Sequence, residues 1–168
     1  MKNTVFALFF SLIVLNFACS QNPPASPHTT TEGKDVSITY GQPSKKGRVI
    51  FGAEGSQSLE KYGKVWRTGA DEATVIEFKK DGMFGGKAIK AGKYSLFTIP
   101  GEKEWTVILN SEAKQWGAYN YKQDKDVLRV TVPATVNKEP VEKLNFKVED
   151  TALVFAWDTA GFSVPLKF

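Results

Sequence analysis

The sequence predicts an all-β fold: a single antiparallel β-sandwich domain behind a signal peptide and a short tether. Apolar residues recur with period two in six separate runs, Gly- and Pro-bearing turn signals fall between the runs, and no stretch sustains a helical period. The composition agrees. With 42% hydrophobic and 24% charged residues, the 168-residue chain is neither disordered, collagenous nor a multispan membrane protein. A domain of about 150 residues also buries roughly two thirds of its unfolded surface, so a core is within reach without disulfides.

The N-terminal residues are read first. Lys2 gives a short positive segment, and residues 5–15 (VFALFFSLIVL) form an apolar run of 11. That is too short for the about 20 residues that cross a bilayer and suits the apolar region of a signal peptide. The run gives way to Asn16-Phe17-Ala18-Cys19-Ser20, with the chain's single cysteine directly after a small residue, where a lipoprotein signal peptidase needs it. Residues 1–18 are accordingly read as a lipoprotein signal peptide and Cys19 as the lipidation site, giving an exported, cell-envelope protein held to a membrane by lipid. Asn16 stands where an aliphatic residue is usual, and Ala18-Cys19-Ser20 also reads as an A-x-A-like site cleaved after Ser20, which gives a soluble periplasmic or secreted protein. Either way no intramolecular disulfide remains.

Residues 19–32 are read as a flexible tether, since 21–31 (QNPPASPHTTT) is rich in Pro, Ser and Thr and has no hydrophobic period. The domain is expected over 33–168. Within it Val36, Ile38 and Tyr40 share one strand face, as do Thr74, Ile76 and Phe78, then Leu128, Val130 and Val132, then Leu144, Phe146 and Val148, then Phe162, Val164, Leu166 and Phe168. Leu153, Phe155 and Trp157 alternate with Ala152, Val154 and Ala156, so that strand is apolar on both faces and is expected to be central. Turn signals stand at Asp81-Gly82, Gly85-Gly86, Ala91-Gly92, Pro100-Gly101, Pro133 and Thr159-Ala160-Gly161. Residues 56–62 and 111–115 each have the length and composition of one helical turn.

Charge excludes a nucleic-acid partner. Removing residues 1–18 takes away one of the 22 basic residues, leaving 21 against 18 acids, a net +3 with the two signs interleaved rather than gathered into a stripe. The densest positive run, Lys45-Lys46-Gly47-Arg48, reads as a solvated turn. Catalytic vocabulary is also scarce. His28, the one histidine, lies between Pro27 and Thr29 in the tether, where no scaffold holds it against a nucleophile. The His and Cys ligands of a zinc or copper site are missing, no acidic cluster has calcium-loop spacing, and no Gly-rich phosphate motif is present, so neither metal nor cofactor is expected.

The segments GRVIFG at 47–52, YGKVWRTGADEAT at 62–74, AGKYSLFTIP at 91–100 and WTVI at 105–108 together resemble the bacterial domain-of-unknown-function family numbered 2911, over about residues 26–168. The resemblance implies an exported bacterial domain. It implies no established activity and supplies no catalytic residues to carry over.

Two blocks are candidate binding residues. The first is Trp66, Arg67, Thr68, Asp71 and Glu72. Arginines number three, at 48, 67 and 129, against 19 lysines, and an Arg is the choice where a planar bidentate fork is needed. Arg67 is expected either to pair with Asp71 or Glu72 and pin the loop, or to line a polar pocket with that acid and Thr68 at the sandwich rim. The second block, residues 115–121 (QWGAYNY), offers Trp116 and Tyr119, whose rings suit stacking on sugars or apolar ligands unless the loop folds back to cap the core. The function that fits is non-catalytic binding of a glycan, peptide or envelope protein partner. The alternative is a hydrolase of an envelope substrate using two acids among Glu54, Asp71 and Glu72, which would have to face each other at about 5 to 10 Å. A purely structural role in envelope assembly is a third.

Overall fold

A computed structural model describes residues 26–168, so the signal peptide, Cys19 and the first part of the tether lie outside the described residues. The strands are β1 (His28–Glu32), β2 (Val36–Gly41), β3 (Phe51–Gly52), β4 (Glu60–Lys61), β5 (Ala70–Phe78), β6 (Gly82–Phe84), β7 (Lys87–Ile89), β8 (Gly92–Ile99), β9 (Glu104–Asn110), β10 (Asp126–Pro133), β11 (Thr135–Val148) and β12 (Ala152–Lys167). They form a six-stranded antiparallel sheet in the order β1-β2-β5-β8-β9-β10, a four-stranded antiparallel sheet β11-β12-β6-β7, and the short parallel pair β3-β4. The two large sheets face each other over one core and remain separate, an open sandwich.

The period-two runs become the inner faces. Val36, Ile38, Tyr40, Ile76, Phe78, Leu144, Phe146, Phe162, Val164 and Leu166 are all buried. Leu153, Phe155 and Trp157 on β12 lie at most 1% exposed, and β12 sits between β11 and β6, the central position its sequence predicted. Its other face, Ala152, Val154 and Ala156, is only half-buried. Aromatic rings fill the middle: Trp66 stacks on Trp157 at 5.9 Å and meets Phe155 edge-on at 6.0 Å, while Phe155 stacks on Phe162 at 4.9 Å. The β6–β7 hairpin turns through Gly85 (φ 58°) and Gly86 (φ 79°), both in the left-handed region its two-residue loop demands.

Three expectations change. His28–Glu32, at the end of the stretch read as tether, forms edge strand β1, because Thr29, Thr30 and Thr31 pair in register with Tyr40, Thr39 and Ile38 and the β-branched threonines suit an extended backbone. Thr159-Ala160-Gly161 is not a turn: β12 runs through it. β12 keeps its course and the extra residues sit in β11, where Val136 to Val141 runs opposite Ala160 to Asp158. Asp158 takes φ 53°, its carboxylate pairs with the Lys45 ammonium, and the Asn137 side chain donates to the carbonyls of Asp158 and Ala160 at 2.9 and 3.1 Å. Neither residues 56–62 nor 111–115 is helical. Among the described residues a single 3-10 turn stands instead at Gln123–Lys125, where the chain enters β10.

Candidate functional site

The first candidate block is a corner between the core and β5. Trp66 pairs its backbone with Thr98, N to O at 2.8 Å and back at 2.9 Å, which sends the indole inward and leaves the next residue facing out. Thr68 then takes φ 57°, a conformation that costs a β-branched residue of order 1–3 kcal/mol and persists only where its surroundings over-determine it. They do here. The buried Thr68 hydroxyl reaches the Trp66 carbonyl at 3.2 Å and the Thr98 hydroxyl at 3.0 Å, the Thr74 hydroxyl donates to the Thr68 carbonyl at 2.9 Å, and the Thr74 N–H donates to the Arg67 carbonyl at 3.1 Å. Thr68 is thus a structural pin with no free hydroxyl on a pocket.

Arg67 does not form the expected pair with Asp71 or Glu72. Asp71 turns its carboxylate to the N-terminal segment, accepting from the Ser26 N–H at 3.1 Å with His28 Nε2 at 3.6 Å. Glu72, one residue on, is exposed. Among the described residues no carboxylate comes within 4.0 Å of the Arg67 guanidinium, and its buried Nε–H has no acceptor. The acid that Arg67 does act on is Glu60. Burial on β4 pushes the Glu60 carboxyl up to about 7, while the charges of Arg67 and Lys61 pull it down. Sequence reasoning missed Glu60, because the two-residue strand that carries it has no periodicity to read and is placed by parallel pairing with Phe51 and Gly52.

The second block joins the first. The Ala73 N–H donates to the Gln115 carbonyl at 2.9 Å and the Gly117 N–H to the Asp71 carbonyl at 3.0 Å, with Glu72 and Trp116 as bridge partners. Gly117 sits at φ 62° with the Tyr119 ring across it: a β-carbon there would meet Tyr119 Cε2 at 2.8 Å and would lie 3.7 Å from Arg67 Nη1. Trp116 is 60% and Tyr119 82% exposed. The same loop does cap the sheet, but through Tyr121, which packs edge-on against Phe97 at 5.0 Å. Its hydroxyl donates to Asp126 Oδ2 at 2.6 Å and accepts from Arg129 Nη2 at 2.7 Å, while Arg129 Nε donates to the same Asp126 oxygen at 2.7 Å. Burial and the Asp126 carboxylate raise the Tyr121 phenol, which stays a neutral donor. Aromatic loop and Arg67 therefore form one rim held from beneath.

Other features stand apart. Glu54 pairs with Lys64 at 3.1 Å on an exposed turn. A concavity of about 260 Å³ is lined by Gly33, Asp35, Val148, Glu149, Leu166 and Phe168 among others, and by neither Arg67 nor Glu72. Among the described residues no group of three His, Cys, Asp or Glu side chains is placed to hold a metal ion.

A model for a protein family described as a protein of unknown function (DUF2911) matches residues 22–166, covering both blocks. The chain belongs to that family. No curated protein and no solved structure matches it. The family description assigns no activity.

Proposed function

We propose that the chain is an exported cell-envelope lipoprotein, anchored at Cys19, whose domain binds a glycan, peptide or protein partner without catalysis. The observation that carries this reading is the pair of exposed rings, Trp116 and Tyr119, on a backbone-bonded loop beside the unpaired guanidinium of Arg67. An aromatic ring has only two side-chain torsions to lose on binding, and a guanidinium that no carboxylate neutralises can donate to a ligand's carboxylate or hydroxyl oxygen. The test is a panel of soluble envelope glycans and peptides offered to wild type and to Trp116→Ala and Tyr119→Ala. Each variant should weaken capture about tenfold or more, with an unchanged melt, since neither ring is in the core. Capture that is equal in all three proteins would remove the rim from consideration.

One observation favours the hydrolase reading, the Glu60 carboxyl near 7, which is a suitable value for a general acid. The acids first proposed for that role lack its setting: Glu54 is on an exposed turn and Asp71 is engaged with Ser26 and His28. A rate profile on any cleaved envelope substrate that falls as pH rises through about 7, and is abolished by Glu60→Gln, would turn the assignment toward catalysis.

A further inference from the structure

We propose that the Trp116–Tyr119 rim also docks on the phospholipid surface to which Cys19 tethers the domain, an inference that rests on the lipid-anchor reading above. The first argument is reach. Seven Cα-to-Cα steps lead from Cys19 to Ser26, a fully extended length of roughly 25 Å, so the membrane is never far from the point where the chain enters the domain. That entry is fixed, by the Ser26 N–H on Asp71 at 3.1 Å, by the Gln42 N–H on the Pro27 carbonyl at 2.7 Å, and by the β1–β2 pairing. One further hydrogen bond, Gly117 N–H to the Asp71 carbonyl, leads to the aromatic loop. Tether and rim therefore share one side of the molecule.

The second argument is chemistry. Indole and phenol rings settle at the headgroup level of a bilayer, where an apolar face and a polar edge are both satisfied. Exposed Lys114, Lys122 and Lys125 flank the rings, and none has a carboxylate within 4.0 Å among the described residues. Glu72, Glu112 and Asp124 offset them in number, so the rings carry the docking and its salt dependence is shallow. Weak intrinsic affinity suffices, because the anchor holds the loop at an effective concentration that a free domain does not reach.

Trp116 provides its own reporter, since Trp66, Trp105 and Trp157 are at most 3% exposed. The full acylated chain is reconstituted into phosphatidylethanolamine–phosphatidylglycerol vesicles with and without brominated acyl chains, and the emission of Trp116→Phe is subtracted from that of wild type. The Trp116 emission should shift to the blue and be at least halved by the brominated lipid, at low and at physiological salt alike. A Trp116 emission that stays water-like and unquenched overturns the proposal, as does a processed N-terminus whose mass shows no acyl chain. Soluble glycan and peptide capture by the same protein in detergent separates the two readings. Trp116-dependent capture without quenching leaves the binding rim standing with a soluble partner and overturns the membrane as that partner.

Discussion

Glu60 shows how a single side chain carries a pH signature. Its carboxyl is raised to about 7 by burial, so the folded state holds a proton that the unfolded chain has released across the window from about pH 4.5 to 7. The sign follows from linkage: where the native state binds more protons, stability is full below the lower value and falls as pH rises through the upper one. Glu60→Gln should remove that slope and stabilise the protein by about 1–3 kcal/mol at pH 8, measured by urea melts across the range. A parallel decline in wild type and variant would place the titrating group elsewhere. Arg67 opposes the burial effect, so Arg67→Gln should move the Glu60 midpoint upward. Arg67→Lys should cost under about 1 kcal/mol, because no buried ion pair is broken.

At the scale of elements, β12 and the 115–121 loop behave in opposite ways. Phe155 is enclosed by Trp66, Trp105, Phe146 and Phe162, and Phe155→Ala should cost about 3–5 kcal/mol through lost burial and a cavity. Thermal or denaturant unfolding measures it, and a near-neutral effect would contradict the two-sheet core. The loop is held by two backbone hydrogen bonds to β5 and by the Tyr121–Asp126–Arg129 group, with its exposed rings adding nothing to the core. Gly117→Ala should destabilise by about 1 kcal/mol or more, because a β-carbon is strained at φ 62° and meets the Tyr119 ring. It should also displace Tyr119, so the variant is expected to lose capture while Trp116→Ala loses it with no stability change.

The whole molecule is an open sandwich with the N-terminal strand β1 at the edge of its larger sheet. If Cys19 is acylated, wild type should partition into detergent, and Cys19→Ala should appear in the aqueous phase or remain unprocessed. Wild type recovered as a soluble species beginning at Gln21 would sink the anchor and the membrane-docking argument with it. The net charge of +4 is spread along the chain with both signs interleaved, so the molecule supplies little long-range steering toward a charged partner.

The sequence by itself determined the all-β class, the inner faces of β2, β5, β10, β11 and β12 and the central place of Leu153, Phe155 and Trp157, because period two is a local property that burial of one sheet face imposes directly. Its two blocks of candidate residues were legible for the same kind of reason: a rare Arg and a cluster of aromatics are visible without a fold. Only the tertiary structure decided that the blocks meet, since the bridge from Glu72 to Trp116 joins residues 44 positions apart and no local pattern encodes such a pairing. It also decided that Arg67 acts by its charge on Glu60 and does not pair with Asp71, because the backbone corner at Thr68 and the capture of Asp71 by the N-terminal segment override proximity in sequence. Turn residues lower the cost of a reversal, but at Thr159-Ala160-Gly161 the strand pairs with β11 through Ala160 and Gly161 and keeps its course, and β11 takes up the mismatch with extra residues between Val136 and Val141.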